Sequence, residues 1–443
     1  MKVSIQNSTN FRCALIGAIC AFNVSAFAQL SPPEQKLADA VKARTPAALA
    51  LLEKAVNINS GTLNQEGVRE VGKLFRAELD ALGFTTRWVE MPAAMQRAGH
   101  LVATRSAKTG NSGKRLLLLG HLDTVFEKDS AVQLWAPKDK RIFGQGVSDM
   151  KGGNVVMLEA LRALHATGVL DDMTISVMFT GDEERVGSPV EKAREAMIAL
   201  ARQSDVALSF ENILREAGGA EFVAVARRAS SGWALDVTAR QGHSSGVFGV
   251  VAGYGAAYEA ARILNAFREE LMEPGLTFSP GLVLIGTEVN YDETQARASV
   301  SGKSNIIPPL ATIRGDLRYL TIEQRDRVHT RMRDIVGRNL PGTAATISFR
   351  EAYPPMPPTE GNMALQRLYS EISVAAGYGK VEASHPSVRG AGDIQFVSPL
   401  LDSLDALGAA GGGAHSPHEF LYPDSVERGA VRAAILMYRL GRK

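Results

Sequence analysis

Seven acidic and imidazole side chains stand at wide intervals in this chain, most at the end of an apolar run. His121 and Asp123 close Leu-Leu-Leu-Leu-Gly-His-Leu-Asp-Thr, Asp149 sits in Gly-Val-Ser-Asp-Met-Lys-Gly-Gly, and Glu183-Glu184 follow Phe-Thr-Gly-Asp. Glu211 ends Leu-Ser-Phe-Glu, and His415 comes after Gly-Gly-Gly-Ala. Imidazole and carboxylate without thiolate form a ligand set for hydrolytic zinc or a similar divalent ion. Acids beside buried strands are costly unless positive charge compensates them, and a pair of cations supplies it. Each residue also has a plainer reading. Asp149 could cap the helix that follows it, Glu183-Glu184 could be a solvated cluster beside Arg185, and Glu211 could open a helix. His121 could be a hydrogen-bonded core residue. Their joint occurrence on one alternating pattern favours the metal.

Such residues need elements that bring strand ends together. Apolar runs at 115–119, 174–179 and 206–210 read as strands, and helical spacing appears at 47–56, 67–82, 154–165 and 190–201. Continuous apolar strands separated by helices predict an α/β fold, with a mostly parallel sheet covered on both faces. Ligands then gather beyond the carboxyl ends of the strands, where His121, Glu183, Glu184 and Glu211 fall. From about residue 222 the pattern changes to half-exposed strands at 222–226, 233–239, 282–285 and 312–320, with helices at 254–267 and 322–336. The division predicted is a catalytic domain over 29–221 and 337–443, interrupted by a small α+β domain over 222–336. Further helices are expected at 362–376 and 426–439.

The first 28 residues carry Lys2 and Arg12, an apolar stretch from Cys13 to Phe22, and Ala26-Phe27-Ala28. That is the layout of a signal peptide cleaved after Ala28, and it predicts an exported, periplasmic or secreted protein. Both cysteines, Cys13 and Cys20, lie within it, which excludes disulfides and a cysteine nucleophile from the mature chain. Removing Lys2 and Arg12 from 49 basic residues leaves 47, equal to the 47 acidic ones. No basic field for nucleic acid or anionic membrane is indicated.

The ordered motifs, together with Gly-His-Ser-Ser at 242–245, resemble those of the M20 family of metallopeptidases. Within it they are most similar to the glutamate carboxypeptidases of the carboxypeptidase G type. The resemblance implies two zinc ions bridged by Asp149, one held also by His121 and Glu211, the other by Glu184 and His415. It implies that Asp123 orients the His121 ring and that Glu183 is the general base and acid. His243 would cross a homodimer interface, made by the inserted domain, to stabilise the oxyanion in the partner's site. Asn305 and Arg318 would bind the terminal carboxylate of the substrate, a task suited to the planar arginine fork. Arg318 could instead pair with Asp316 or Glu323 on a strand surface.

Arg389 departs from the family pattern, where small residues surround this stretch; it could add a second anion contact or exclude a large acyl group. His418 competes with His415 as a ligand, and His329 reads as solvated. The expectation is a dinuclear zinc exopeptidase that removes a C-terminal amino acid, glutamate on family likeness, from a peptide or N-acyl compound. Cobalt or manganese would also suit the site. An N-acyl-amino-acid deacylase or dipeptidase is the near alternative, differing in which half of the substrate is recognised. A solute-binding protein is a more distant one; it would bind without turnover and leaves the Glu183-Glu184 pair unexplained.

Overall fold

The chain, as a computed structural model, describes residues 29–442 apart from 109, 111–112, 132 and 294–296; the expected signal peptide lies outside the described residues. Its centre is a six-stranded sheet in the order Thr85–Val89, His100–Arg105, Ile175–Thr180, Leu116–His121, Val206–Ser209 and Asp402–Leu404. The last four are mutually parallel, and the first two form an antiparallel edge. The leucine run of the middle strand is continuous because both faces are buried. Leu116 and Leu118 share a core with Val177 and Phe179, whereas Leu117 and Leu119 pack with Met178 and Ala207 on the opposite face. Helices Pro32–Val56, Gly152–Ala166 and Pro423–Gly441 pack against one another over the first face. Val190–Ala201 supplies Met197, Leu200 and Ala201 to the second.

A second, antiparallel sheet runs in the order Thr277–Gly286, Leu310–Arg318, Ser230–Ala239 and Thr343–Tyr353. Helices Gly255–Glu270 and Ile322–Val336 pack on it, and Trp233, Leu235, Ile263, Phe267, Ile313 and Met332 form a separate core. This sheet shifts both limits of the inserted unit. The strand expected at 222–226 is Glu221–Val223, which pairs in parallel with Val381–Ala383 while Val223 and Val225 join the main core. Strand Thr343–Tyr353, left outside a unit ending at 336, runs the full length of Ser230–Ala239. Its residues alternate between half-buried and exposed, so it offers no apolar run to read.

The helices expected at 154–165 and 190–201 are Gly152–Ala166 and Val190–Ala201. The first begins hard against the end of a strand. A Cβ added to Gly153 would sit 1.8 Å from the Phe210 carbonyl oxygen. That approach draws Asp149 and Glu211 towards the same space, and only glycine permits it. Gly153→Ala is therefore expected to cost about 1–3 kcal/mol through overpacking. Gly218→Ala, where a Cβ meets nothing within 4 Å, is expected to stay within about 0.5 kcal/mol of the parent. Denaturant midpoints of the two variants check the difference.

Candidate metal centre

The carboxyl ends of the parallel strands converge as expected. His121 is the last residue of its strand and lies beside Thr180 in the register, so Glu183 and Glu184 follow immediately alongside it. Asp149 is set between two imidazoles. Its Oδ1 is 3.2 Å from His121 Nε2, and its Oδ2 is 3.2 Å from His415 Nε2. Glu211 stands on the first side, 3.5 Å from His121 Nε2, and Glu184 on the second, 3.1 Å from His415 Nε2. His415 reaches this position from a left-handed backbone, φ 63°, after the glycine run. His418 makes no such contact; its backbone N–H donates to Ser416 instead.

Donors about 2.0–2.2 Å from a tetrahedral ion lie roughly 3.3–3.6 Å apart; the spacings here, 3.1 to 3.5 Å, are within about 0.2 Å of that range. Donor atoms of His121, Asp149 and Glu184, and of His121, Glu183 and Glu211, form two groups lying within 4.8 Å of one another. Proximity alone would allow Glu183 to be a ligand. The shorter contacts instead divide the cluster into His121–Glu211 and His415–Glu184, with Asp149 between. Glu184 Oε1 is buried without a hydrogen-bond partner, as an oxygen awaiting a cation would be. The residues fit a pair of divalent ions.

The electrostatics agree. Burial, with the neighbouring charges of Glu211 and Glu184, holds the Glu183 carboxyl well above its ordinary range despite His121. Burial and Asp149 lift Glu184 to about 7. Burial opposes charge on His121, yet contacts with Asp123, Asp149 and Glu211 raise it well above the usual imidazole value. Contacts with Asp149 and Glu184 raise His415 to about 11. These two carboxyls and two imidazoles all hold protons unusually tightly, and a bound cation would take the place of those protons.

The supporting residues are less visible in the sequence. Asp123 meets His121 mainly through its backbone: His121 Nδ1 is 3.0 Å from the Asp123 carbonyl oxygen and 3.5 Å from Oδ1. Its carboxylate accepts from Thr62 Oγ1 at 2.6 Å and from the Glu183 and Glu184 backbone N–H groups at 3.0 and 3.1 Å. Asp123 thus steadies the His121 ring, as the resemblance implies, and also fixes the loop carrying both glutamates. His100 helps, accepting from Gly181 N on Nδ1 while Nε2 lies 2.9 Å from the Ala193 carbonyl. Fully buried Arg194 clamps Asp182 at 2.6 Å and Asp393 at 2.8 Å. From the inserted unit, the Tyr353 hydroxyl donates to the Glu183 carbonyl at 2.8 Å.

Glu419 does for Asp149 what Asp123 does for the glutamates. Its buried carboxylate accepts from the N–H groups of Gly146, Ser148 and Asp149 at 2.8, 2.8 and 2.9 Å. No local motif marks it, only its place four residues after His415.

The cavity over this cluster, about 270 Å³, is lined by Asp149, Glu183, Glu184, Glu211 and His415, facing Arg227 and Arg389. His243, Asn305 and Arg318 are absent from that lining. His243 lies exposed on the inserted unit, bonded to Ser245, and the Asn305 carbonyl accepts from the adjacent Ser244 N–H at 2.9 Å. Arg318 pairs with Asp316 at 2.8 Å, its plainer reading. His329 is buried and stacked on Phe349 rather than solvated.

With that geometry in place, four likenesses bear on it. A sequence model of peptidase family M20/M25/M40 matches residues 117–438. Carboxypeptidase G2 of a Pseudomonas species is 28% identical, over 97% of this chain and 98% of its own. The solved aminopeptidase PepT of Bacillus cereus superposes with a TM-score of 0.68 at 15% identity, over 90% of this chain and 99% of its own. A dinuclear metal-binding M20 peptidase of Bacillus subtilis superposes with a TM-score of 0.63 at 15% identity, over 90% and 99%.

Glu419→Ala is expected to weaken divalent-ion uptake roughly 10–100-fold, the usual cost of losing a group that orients a ligand. Calorimetric titration with zinc measures it, with exposed Glu382→Ala as control. Equal affinities would show that Asp149 holds its place without Glu419.

Proposed function

The chain belongs to peptidase family M20/M25/M40, and from that premise we propose that it hydrolyses the C-terminal amide bond of a small peptide or N-acyl amino acid. Glutamate is the residue we expect it to release, in keeping with the name of the full-length relative, carboxypeptidase G2. The observation that carries the reading is the division of Asp149: one oxygen serves the His121–Glu211 side and the other the His415–Glu184 side. Two zinc ions are the proposed cofactor, and cobalt or manganese would be accepted by the same donors. When bound, such a pair supplies a water of lowered pKa and a polarising charge for the scissile carbonyl.

The rest falls to the protein. Glu183 is buried beside this centre, with its carboxyl raised well above the usual range by burial and neighbouring acids. That proton affinity suits a base that accepts the proton of the attacking water and returns it to the leaving nitrogen. Asp123 and Tyr353 hold its backbone N–H and carbonyl, and His100 holds the same loop at Gly181, so the carboxylate is placed before substrate arrives.

We assign His243 to the oxyanion in a partner subunit on family likeness, and within one chain it lies away from the acidic cavity. The same flank of the inserted unit exposes Phe248, Val250, Val251 and Tyr258, an apolar patch suited to a homodimer interface. Asn305 and Arg318 would meet the substrate's terminal carboxylate when the units close. Among the described residues no helix is long and apolar enough to cross a membrane. We place the mature enzyme outside the cytoplasm, with residues 1–28 as its leader.

Glu183→Gln is expected to retain zinc and lose about 10²–10⁴-fold in turnover, whereas Glu184→Ala loses zinc as well. Metal analysis beside hydrolysis of an N-acyl-glutamate decides; full activity in Glu183→Gln sinks the assignment. Arg318→Ala is expected to weaken substrates with a free terminal carboxylate about tenfold or more while barely affecting their amides, given the strength of a bidentate charged pair. Equal damage to both would make the arginine structural.

A further inference from the structure

Arg389 lines the acidic cavity and has no task in that hydrolysis. Its Nε is buried without a hydrogen-bond partner, and among the described residues it forms no ion pair. Burial and the neighbouring charge of Arg227 act against its guanidinium, and the charges of Asp405, Glu211 and Asp149 only partly offset them. A buried cation left in this way is costly unless an anion meets it.

The segment that carries Arg389 is firmly set. Arg227 donates through Nε to Asp405, and through Nη1 to the Gly390 and Ala391 carbonyls at 2.8 and 3.1 Å. Gly392 lies against the same guanidinium, where a Cβ would be 3.1 Å from Cζ. Arg227 Nη2 is left over, also buried and without a partner. Two arginines held by one turn therefore offer unused N–H donors across the cavity from the carboxylates.

Neutralising those carboxylates does not account for Arg389. A residue with that task would pair with one of them, as Arg194 and Arg227 do with their own acids. We infer that Arg389, with the free Nη2 of Arg227, binds a second carboxylate of the substrate, separate from the terminal one assigned to Arg318. The fork geometry of a guanidinium suits a carboxylate and gains little from a neutral carboxamide. The substrate class is thus an N-acyl amino acid or dipeptide carrying two carboxylates. The second could lie on the side chain of the released residue or at the far end of the acyl group.

This inference rests on the hydrolytic reading, and the test separates the two. The zinc-loaded wild type and Arg389→Ala are compared on N-acetyl-glutamate against N-acetyl-glutamine, and on N-succinyl-leucine against its succinamide counterpart. The wild type is expected to favour the carboxylate in one pair, and Arg389→Ala to lower that kcat/KM ratio at least tenfold with zinc content unchanged. The pair that responds identifies the half of the substrate that is read. Ratios unchanged in both pairs, or zinc lost from Arg389→Ala, overturn the inference. Calorimetric binding of glutarate to the zinc-loaded protein gives a readout without turnover. Arg389→Ala is expected to weaken it at least tenfold, and equal binding overturns the inference even if no amide is cleaved. Hydrolysis of neither pair by the wild type, with glutarate binding intact and dependent on Arg389, counts against the hydrolytic reading alone.

Discussion

One carboxylate shared between two imidazole–acid pairs is the arrangement on which the rest of this molecule depends. Asp149 can serve His121 with one oxygen and His415 with the other only if its backbone is fixed from outside the cluster. Glu419 does so by accepting from three N–H groups of one loop, and the opposing loop is fixed in turn by Asp123. Two buried acids are thus spent on backbone so that four others can face the cavity. Concentrating so much negative charge out of water is unfavourable by itself. The close helix start at Gly153, the parallel strand ends and the glycine approach to His415 all serve to make that concentration attainable.

The sequence disclosed the parts that follow from periodicity. Leu116–Leu119 announced a strand buried on both faces, and its last residue had to lie at the sheet's carboxyl edge. The groups contributed by His121, Asp149, Glu184, Glu211 and His415 stand where the motif order put them, and His415 rather than His418 makes the contacts. The supporting layer was not legible. Asp123 sits two residues from His121, yet its carboxylate works on a loop sixty residues away, a pairing that only the register of adjacent strands creates. Glu419 and His100 carry no local signature, because their partners are backbone groups from distant segments. Thr343–Tyr353 escaped notice for a different reason: an edge strand with one solvated face has no apolar run.

The inserted unit has its own core, built around Trp233 and Phe267, and touches the catalytic unit through few but specific groups. Tyr353 bonds the Glu183 carbonyl, while Gln395 donates to the carbonyls of Arg228 and Pro354 where the chain enters and leaves the unit. The orientation of the insert is therefore registered at the backbone of Glu183 itself. Relative domain motion is the ordinary expectation for small polar contacts of this kind. Here any such motion is felt at Glu183.

His415 and Glu419 belong to one short loop near the end of the polypeptide, just before helix Pro423–Gly441. That segment delivers one of the two imidazoles of the centre and the acid that holds Asp149 in position. Synthesis proceeds from the N-terminus, so His121, Asp149, Glu184 and Glu211 have all been made before this loop can dock. Until then Asp149 has an imidazole for one oxygen only, on the His121–Glu211 side, and the second half of the centre is the last to be assembled.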